Sequence, residues 1–157
     1  MDFLTEMFAN YIGQAALWSW FLAQVMKFFI VLMQIKRFQW ERLIGAGGFP
    51  SSHTALVVGL TTALGYKEGV SSELFIVALV FSLVVMYDAS GVRREAGRQA
   101  QILNQLLEHF KTRGVQVHMD GTSGRMLKEL LGHTPLEVFG GAILGYVVAS
   151  IIFYNFL

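Results

Sequence analysis

Apolar residues along the chain fall into four long runs, and the polar stretches between them differ in kind. From Tyr11 to Met33 the sequence is almost continuously apolar and aromatic, broken by Gln14, Gln24 and Lys27. That length crosses a bilayer core, which takes roughly 20 helical residues. A second run, from about Ser51 to Gly65, is short for a span. It reaches across if its polar first turn lies at the membrane surface or the bilayer thins locally. A third, Leu74 to Tyr87, ends on Asp88. The last, Pro135 to Leu157, holds one charge, Glu137, and the small residues Gly140, Gly141, Ala142, Gly145 and Ala149, which suit close packing against neighbouring helices.

The segment between the third and fourth runs has another period. Val92 to Arg113 repeats Ala96, Leu103, Leu106, Leu107 and Phe110, with Arg94, Arg98, Gln101 and Gln105 on a separate stripe, the pattern of an amphipathic helix outside the hydrocarbon. Gly114 to Gly124 reads as a loop with a short extended piece at Val115 to Val117, and Arg125 to Leu131 as a brief helix closed by Gly132. The expected fold is an all-α, polytopic membrane helical bundle in one domain. It has about four transmembrane helices, near 11–33, 51–65, 74–88 and 135–157, and a cytoplasmic helical insertion near 92–131.

Composition agrees with that class. The chain is 54% hydrophobic and 15% charged, where soluble domains average about 45–50% apolar and about 25% charged. A net charge of +1 is uninformative as a total, because in a membrane protein what matters is which loops carry the positive residues; membrane lipids, and no nucleic acid, are the expected partners. The absence of cysteine excludes disulfides and thiolate metal sites. Met1 to Asn10 carries Asp2 and Glu6 and no basic residue, unlike a secretory leader, so the first apolar run is expected to be retained. Lys36, Arg37 and Arg42 in the first loop, and Arg93, Arg94, Arg98, Lys111, Arg113, Arg125 and Lys128 in the long one, orient the spans. By the positive-inside rule both basic segments face the cytoplasm and both termini lie on the other side. Pro50 to His53, Asp88 to Arg94 and His133 to Glu137 then share the cytoplasmic ends of three spans.

Each cluster has a chemistry and a plainer structural use. In GGFPSSHTA, Gly47 to Ala55, Ser51 or Ser52 can cap a helix whose free N–H groups and dipole favour an anion, with His53 in the first turn to give or take a proton. The same residues also serve simply as a helix cap with an interfacial histidine. In His133-Thr-Pro-Leu-Glu137 the carboxylate is one turn from the imidazole. It can fix the tautomer and leave the other nitrogen as nucleophile or base, or only answer the dipole of the following helix. In YDASGVRREAGRQA, Asp88 is followed by Arg93, Arg94 and Arg98; arginine forks suit phosphate, while an Asp88 pair with Arg93 or Arg94 would be a structural salt bridge. Lys27, costly within a span, either snorkels to an interface or faces a polar interior.

Taken together, GGFPSSHTA, VVMYDASGVRREAGRQAQILNQLL and LKELLGHTPLEVFGGAILG resemble the divergent type 2 phosphatidic acid phosphatase family, related to acid phosphatases and vanadium-dependent haloperoxidases. The resemblance implies His53 as general acid, His133 as the nucleophile that forms a phosphohistidine, and Glu137 as its orienting carboxylate. The chain departs from the broader superfamily pattern in several places. Ser52 stands for a glycine, Glu137 for an aspartate, and Leu127, with Lys128 beside it, for an arginine six residues before the nucleophile. The lysine of the first motif has Lys27 as one counterpart, and Lys36 with Arg42 as another. Arg93, Arg94 and Arg98 are candidates to replace the lost cations. The expected substrate contacts are thus Ser51, Ser52, Lys27, Asp88, Arg93, Arg94, Arg98 and Lys128.

The leading expectation is a metal-independent and cofactor-independent phosphatase acting on a lipid phosphate monoester or pyrophosphate in a bacterial plasma membrane. A phosphatase-like protein that binds or translocates an anionic lipid without hydrolysis is the alternative. A third reading makes Asp88, Glu137 and the two histidines ligands of a transported ion. Four short spans leave enough apolar surface for a homodimer.

Overall fold

A computed structural model describes residues 9–35, 48–114, 127 and 132–156. Among them are five helices and no strand: α1 (Tyr11–Ile35), α2 (Ser52–Glu68), α3 (Glu73–Ser90), α4 (Val92–Thr112) and α5 (Pro135–Phe156). The basic loop with Lys36, Arg37 and Arg42, the extended piece at 115–117, the helix at 125–131 and Lys128 lie outside the described residues. The all-α bundle expected from the apolar runs is the fold observed. Three helical stretches, Tyr11–Met33, the run opening at Glu73, and Pro135–Asn155, are long and apolar enough to cross a membrane.

Helix α2 is the exception and the centre. It has 17 residues, at the short end of what a lipid-facing span takes, and it packs against α1, α3 and α5. Its Ser52, Thr54, Ala55, Val57, Gly59, Thr61 and Ala63 are all buried, so protein rather than lipid surrounds much of it. The helix also runs one turn past Gly65, the end expected from its apolar run. It stops at Gly69, where φ is 82° and the N–H bonds to the Gly65 carbonyl. Gly65 itself lies against the Phe75 ring, and Tyr66 continues the packing by stacking on Phe153 at 4.4 Å.

Contacts along α2 give the directions of its neighbours. Helix α1 is antiparallel to it: Tyr11 Oη donates to the Ala63 carbonyl at 2.8 Å, Ser19 lies against Gly59, and Lys27 against Gly48. Helix α3 is antiparallel too, joined by a 2.7 Å bond between the Thr61 and Ser82 hydroxyls and a 3.0 Å bond from Ser82 to the Val57 carbonyl. Such bonds hold helices together where lipid supplies no hydrophobic drive. Helix α5 runs parallel to α2, with Gly145 against the Ala55 carbonyl and Gly59, and Gly141 against Ser51 and Thr54. The start of α2, the start of α5, the end of α3 and the Lys27 turn of α1 therefore share one end of the bundle.

The Gly145 contact allows no side chain, because a Cβ there would enter the α2 backbone. Gly145→Leu is expected to lower stability in detergent by about 1–3 kcal/mol or more through overpacking. Ile151→Ala, at a residue 56% exposed, is expected to change it little; thermal unfolding of the two variants checks the contrast.

Candidate functional site

Ser51 caps α2, its Oγ accepting from the Thr54 N–H at 3.4 Å and from the Thr54 hydroxyl at 3.0 Å. Pro50 lies outside the helix, before the cap, and follows a cis peptide bond from Phe49, so it is not the first helical residue. Ser51 and Ser52 are both buried, whereas His53, in the first turn, is exposed. The Ser51 N–H donates to the Glu137 carbonyl at 2.9 Å, which ties the start of α2 to the first turn of α5.

Thr134 and Glu137 close that turn reciprocally. Glu137 Oε2 accepts from the Thr134 N–H at 2.8 Å, and Thr134 Oγ1 accepts from the Glu137 N–H at 3.3 Å. This is a capping box, and T-x-x-E was its signal in the sequence. The same Oε2 lies 3.2 Å from His133 Nδ1. The carboxylate completes the helix start and also meets the imidazole.

His133 is fixed from a third direction. Its N–H donates to the Ala89 carbonyl, at the end of α3, at 2.8 Å. Just before it, Gly132 has φ 89° and lies so near the backbone of Arg93 and Arg94 that a Cβ would overlap Arg94. Position 132 therefore requires glycine for two reasons, its positive φ and this close approach. Neither the Ala89 carbonyl nor the Gly132 contact had a signal in the sequence, since both depend on chain segments about 40 residues apart meeting in space.

Three sequence-distant clusters thus touch through backbone hydrogen bonds and close contacts. The His53 and His133 ring centroids are 6.4 Å apart. Lys27 is 2% exposed, so it does not snorkel to the surface, and its stem lies beside Gly48. Its charge acts on Glu137 and on both histidines, and Arg93 also acts on His53. No carboxylate of the described residues lies within ion-pairing distance of Lys27.

The basic segment divides. Arg93 Nε pairs with Asp88 at 2.6 Å, the structural salt bridge that the sequence allowed. Gly132 is packed against the Arg94 backbone. Arg98 turns to Glu95 on its own helix, at 2.7 Å with both side chains exposed. Lys128 falls outside the described residues. Among the described residues no three His, Asp or Glu side chains gather as a metal-ligand set.

Burial sets the chemistry of His133. Its side chain is 3% exposed, and burial pushes the imidazole below its ordinary value against the opposing hydrogen bond from Glu137; Lys27 adds to the downward push. With His133 neutral and Glu137 ionised, Nδ1–H donates to the carboxylate and Nε2 keeps its lone pair. That Nε2 is buried and has no hydrogen-bond partner among the described residues. A buried nitrogen with a free lone pair, oriented by a carboxylate and near the Lys27 charge and a second imidazole, can act as a nucleophile toward an anionic electrophile.

The fold defines a class: a helical membrane protein with two histidines and a buried lysine gathered at one end of its bundle. The model of the divergent PAP2 family matches residues 8–148, and the chain belongs to that family. It is also 34% identical to the uncharacterized membrane protein YuiD of Bacillus subtilis (strain 168), over 97% of this chain and 99% of that one. No solved structure matches.

The lowered His133 value has a definite sign. Between the folded value and the ordinary one near 6.5, the unfolded chain binds a proton that the native chain does not. Stability therefore falls as pH drops below about 6.5. His133→Gln is expected to flatten that slope, measured by thermal unfolding between pH 5 and 8. Thr134→Ala removes half of the capping box and is expected to cost about 0.5–2 kcal/mol in the same assay.

Proposed function

We propose that the protein is a membrane-embedded phosphatase that hydrolyses a lipid phosphate monoester or pyrophosphate through a phosphohistidine at His133. The observation that carries this reading is the pairing of His133 Nδ1 with Glu137 while the buried Nε2 remains unpartnered. In the first step Nε2 attacks phosphorus, the bond to the leaving oxygen breaks, and a protonated His53 gives its proton to that oxygen. Glu137 stabilises the phospho-imidazolium that results. In the second step water attacks phosphorus, neutral His53 takes its proton, and the P–N bond breaks to release phosphate and restore His133. Lys27, Arg93 and the N–H groups at the Ser51 and Ser52 turn oppose the charge that develops on the phosphoryl oxygens.

The rest of the reading concerns setting. The chain acts as one membrane domain in a bacterial plasma membrane. Its site faces the cytoplasm, a reading supported by loop charge, and admits the lipid head group at the interface while the chains stay in the bilayer. Its partners would be the lipid phosphate substrate and the surrounding membrane lipids, and a homodimer would cover part of the apolar surface. A second reading, binding or translocation of an anionic lipid without hydrolysis, is favoured by one observation. The Arg93 fork is already engaged by Asp88, and Arg98 by Glu95, which withdraws two of the described cations from a transition state.

The test is phosphate release by the purified protein from phosphatidic acid, phosphatidylglycerophosphate and polyprenyl pyrophosphate. Release abolished by His133→Ala, and lowered about 10²–10⁴-fold by His53→Ala, is expected. No release from any lipid by folded protein that still binds them would transfer the assignment to the binding reading.

A further inference from the structure

Helix α4 carries an apolar stripe that no described element covers. Val92, Leu103, Leu106 and Phe110 fall on one face at helical spacing, with Ile102 beside them. They are 60%, 48%, 48%, 43% and 58% exposed in that order. A different face is already in use. Gly97, Ala100 and Asn104 are buried, and the Asn104 side chain exchanges two 2.9 Å hydrogen bonds with the Leu127 backbone.

Two further observations identify what the free stripe meets. The first is continuity with the lipid-facing surface of α3. Val80, Phe81, Val84 and Tyr87 are more than half exposed on that span, and Gly91 alone separates α3 from α4. Val92, 60% exposed, is thus the first apolar residue past the end of that span. The second is charge. Within α4, Arg93, Arg94, Arg98 and Lys111 outnumber Glu95 and Glu108, and a basic amphipathic helix binds anionic lipid by burying its apolar side and pairing its cations with head groups.

We propose that α4 lies in the membrane plane, its Leu103, Leu106 and Phe110 stripe sunk into the boundary between head groups and acyl chains of anionic lipid. The helix thereby holds its first turn, and the Gly132 and His133 backbone packed near it, at head-group depth. The proposal does not depend on hydrolysis and stands whichever fate the lipid has at His133.

The chain has no cysteine, so single spin labels can be placed without other changes. The full chain is reconstituted in vesicles of phosphatidylglycerol and phosphatidylcholine with labels at Leu103→Cys, Leu106→Cys, Phe110→Cys, Gln101→Cys, Gln105→Cys and Glu108→Cys. Collisions with oxygen and with a water-soluble nickel chelate then report depth. Labels at 103, 106 and 110 are expected to favour oxygen and to lie about 5–10 Å below the phosphates. Labels at 101, 105 and 108 are expected to favour the chelate. The depth of the first set is expected to decrease when phosphatidylglycerol is replaced by phosphatidylcholine. Equal chelate access on both sets would show a stripe facing water and overturn the proposal. Spin–spin broadening at 106 with neither reagent admitted would assign the stripe to a second copy and overturn it too. Unchanged depth without anionic lipid would overturn the assignment of the lipid class.

Discussion

Helix α2 can occupy the centre of the bundle because its neighbours meet it with glycine, alanine and serine. Gly59 lies against Ser19 and the Ala15 carbonyl, and Gly145 against the Ala55 carbonyl. These approaches bring backbones close where lipid gives no hydrophobic drive for association, so packing and interhelical hydrogen bonds must supply it. The consequence reaches the site. With α2 central and α5 parallel to it, the capped start of each helix comes to the same end of the bundle, joined by the Ser51 to Glu137 backbone bond. A helix at the short end of the spanning range thus has its polar first turn beside the two histidines.

Electrostatics then concentrates at that end. Lys27 is an almost fully buried charge, an arrangement that is costly unless something nearby compensates it. Glu137 supplies part of the compensation through its charge, but the same carboxylate also holds Thr134 and His133. An anion held between Lys27, the start of α2 and the two histidines would complete the balance. The neutral state of His133 follows from the same surroundings. Burial and the Lys27 charge both oppose its protonation, which keeps the lone pair that a nucleophile needs.

Much of this was legible in the order of residues. Helix α3 begins one residue before its apolar run and ends three beyond Tyr87, and α5 begins at Pro135 with its run, because uninterrupted apolar segments leave little choice. The pairing of His133 with Glu137 followed from a spacing of four on a helix start. The family was recognisable from the combined motifs, and the family match agrees. The end of α2 was misread at Gly65, because that glycine makes room for Phe75 rather than ending the helix. Arg98 was expected among the phosphate contacts, but a local partner one turn away, Glu95, engages it. The anchoring of His133 on the Ala89 carbonyl and the Gly132 approach to α4 were not legible, since backbone groups carry no mark in a sequence of what they will meet.

Direct capture of a covalent phosphate on His133 tests the central claim. The purified protein is mixed with a radiolabelled lipid phosphate, quenched in base within milliseconds to seconds, and the labelled peptide is mapped. A phosphate stable in base, labile in acid, located on His133 and absent from His133→Ala is expected. Turnover of the lipid with no such adduct, or with the adduct on another residue, would rule out His133 as the nucleophile.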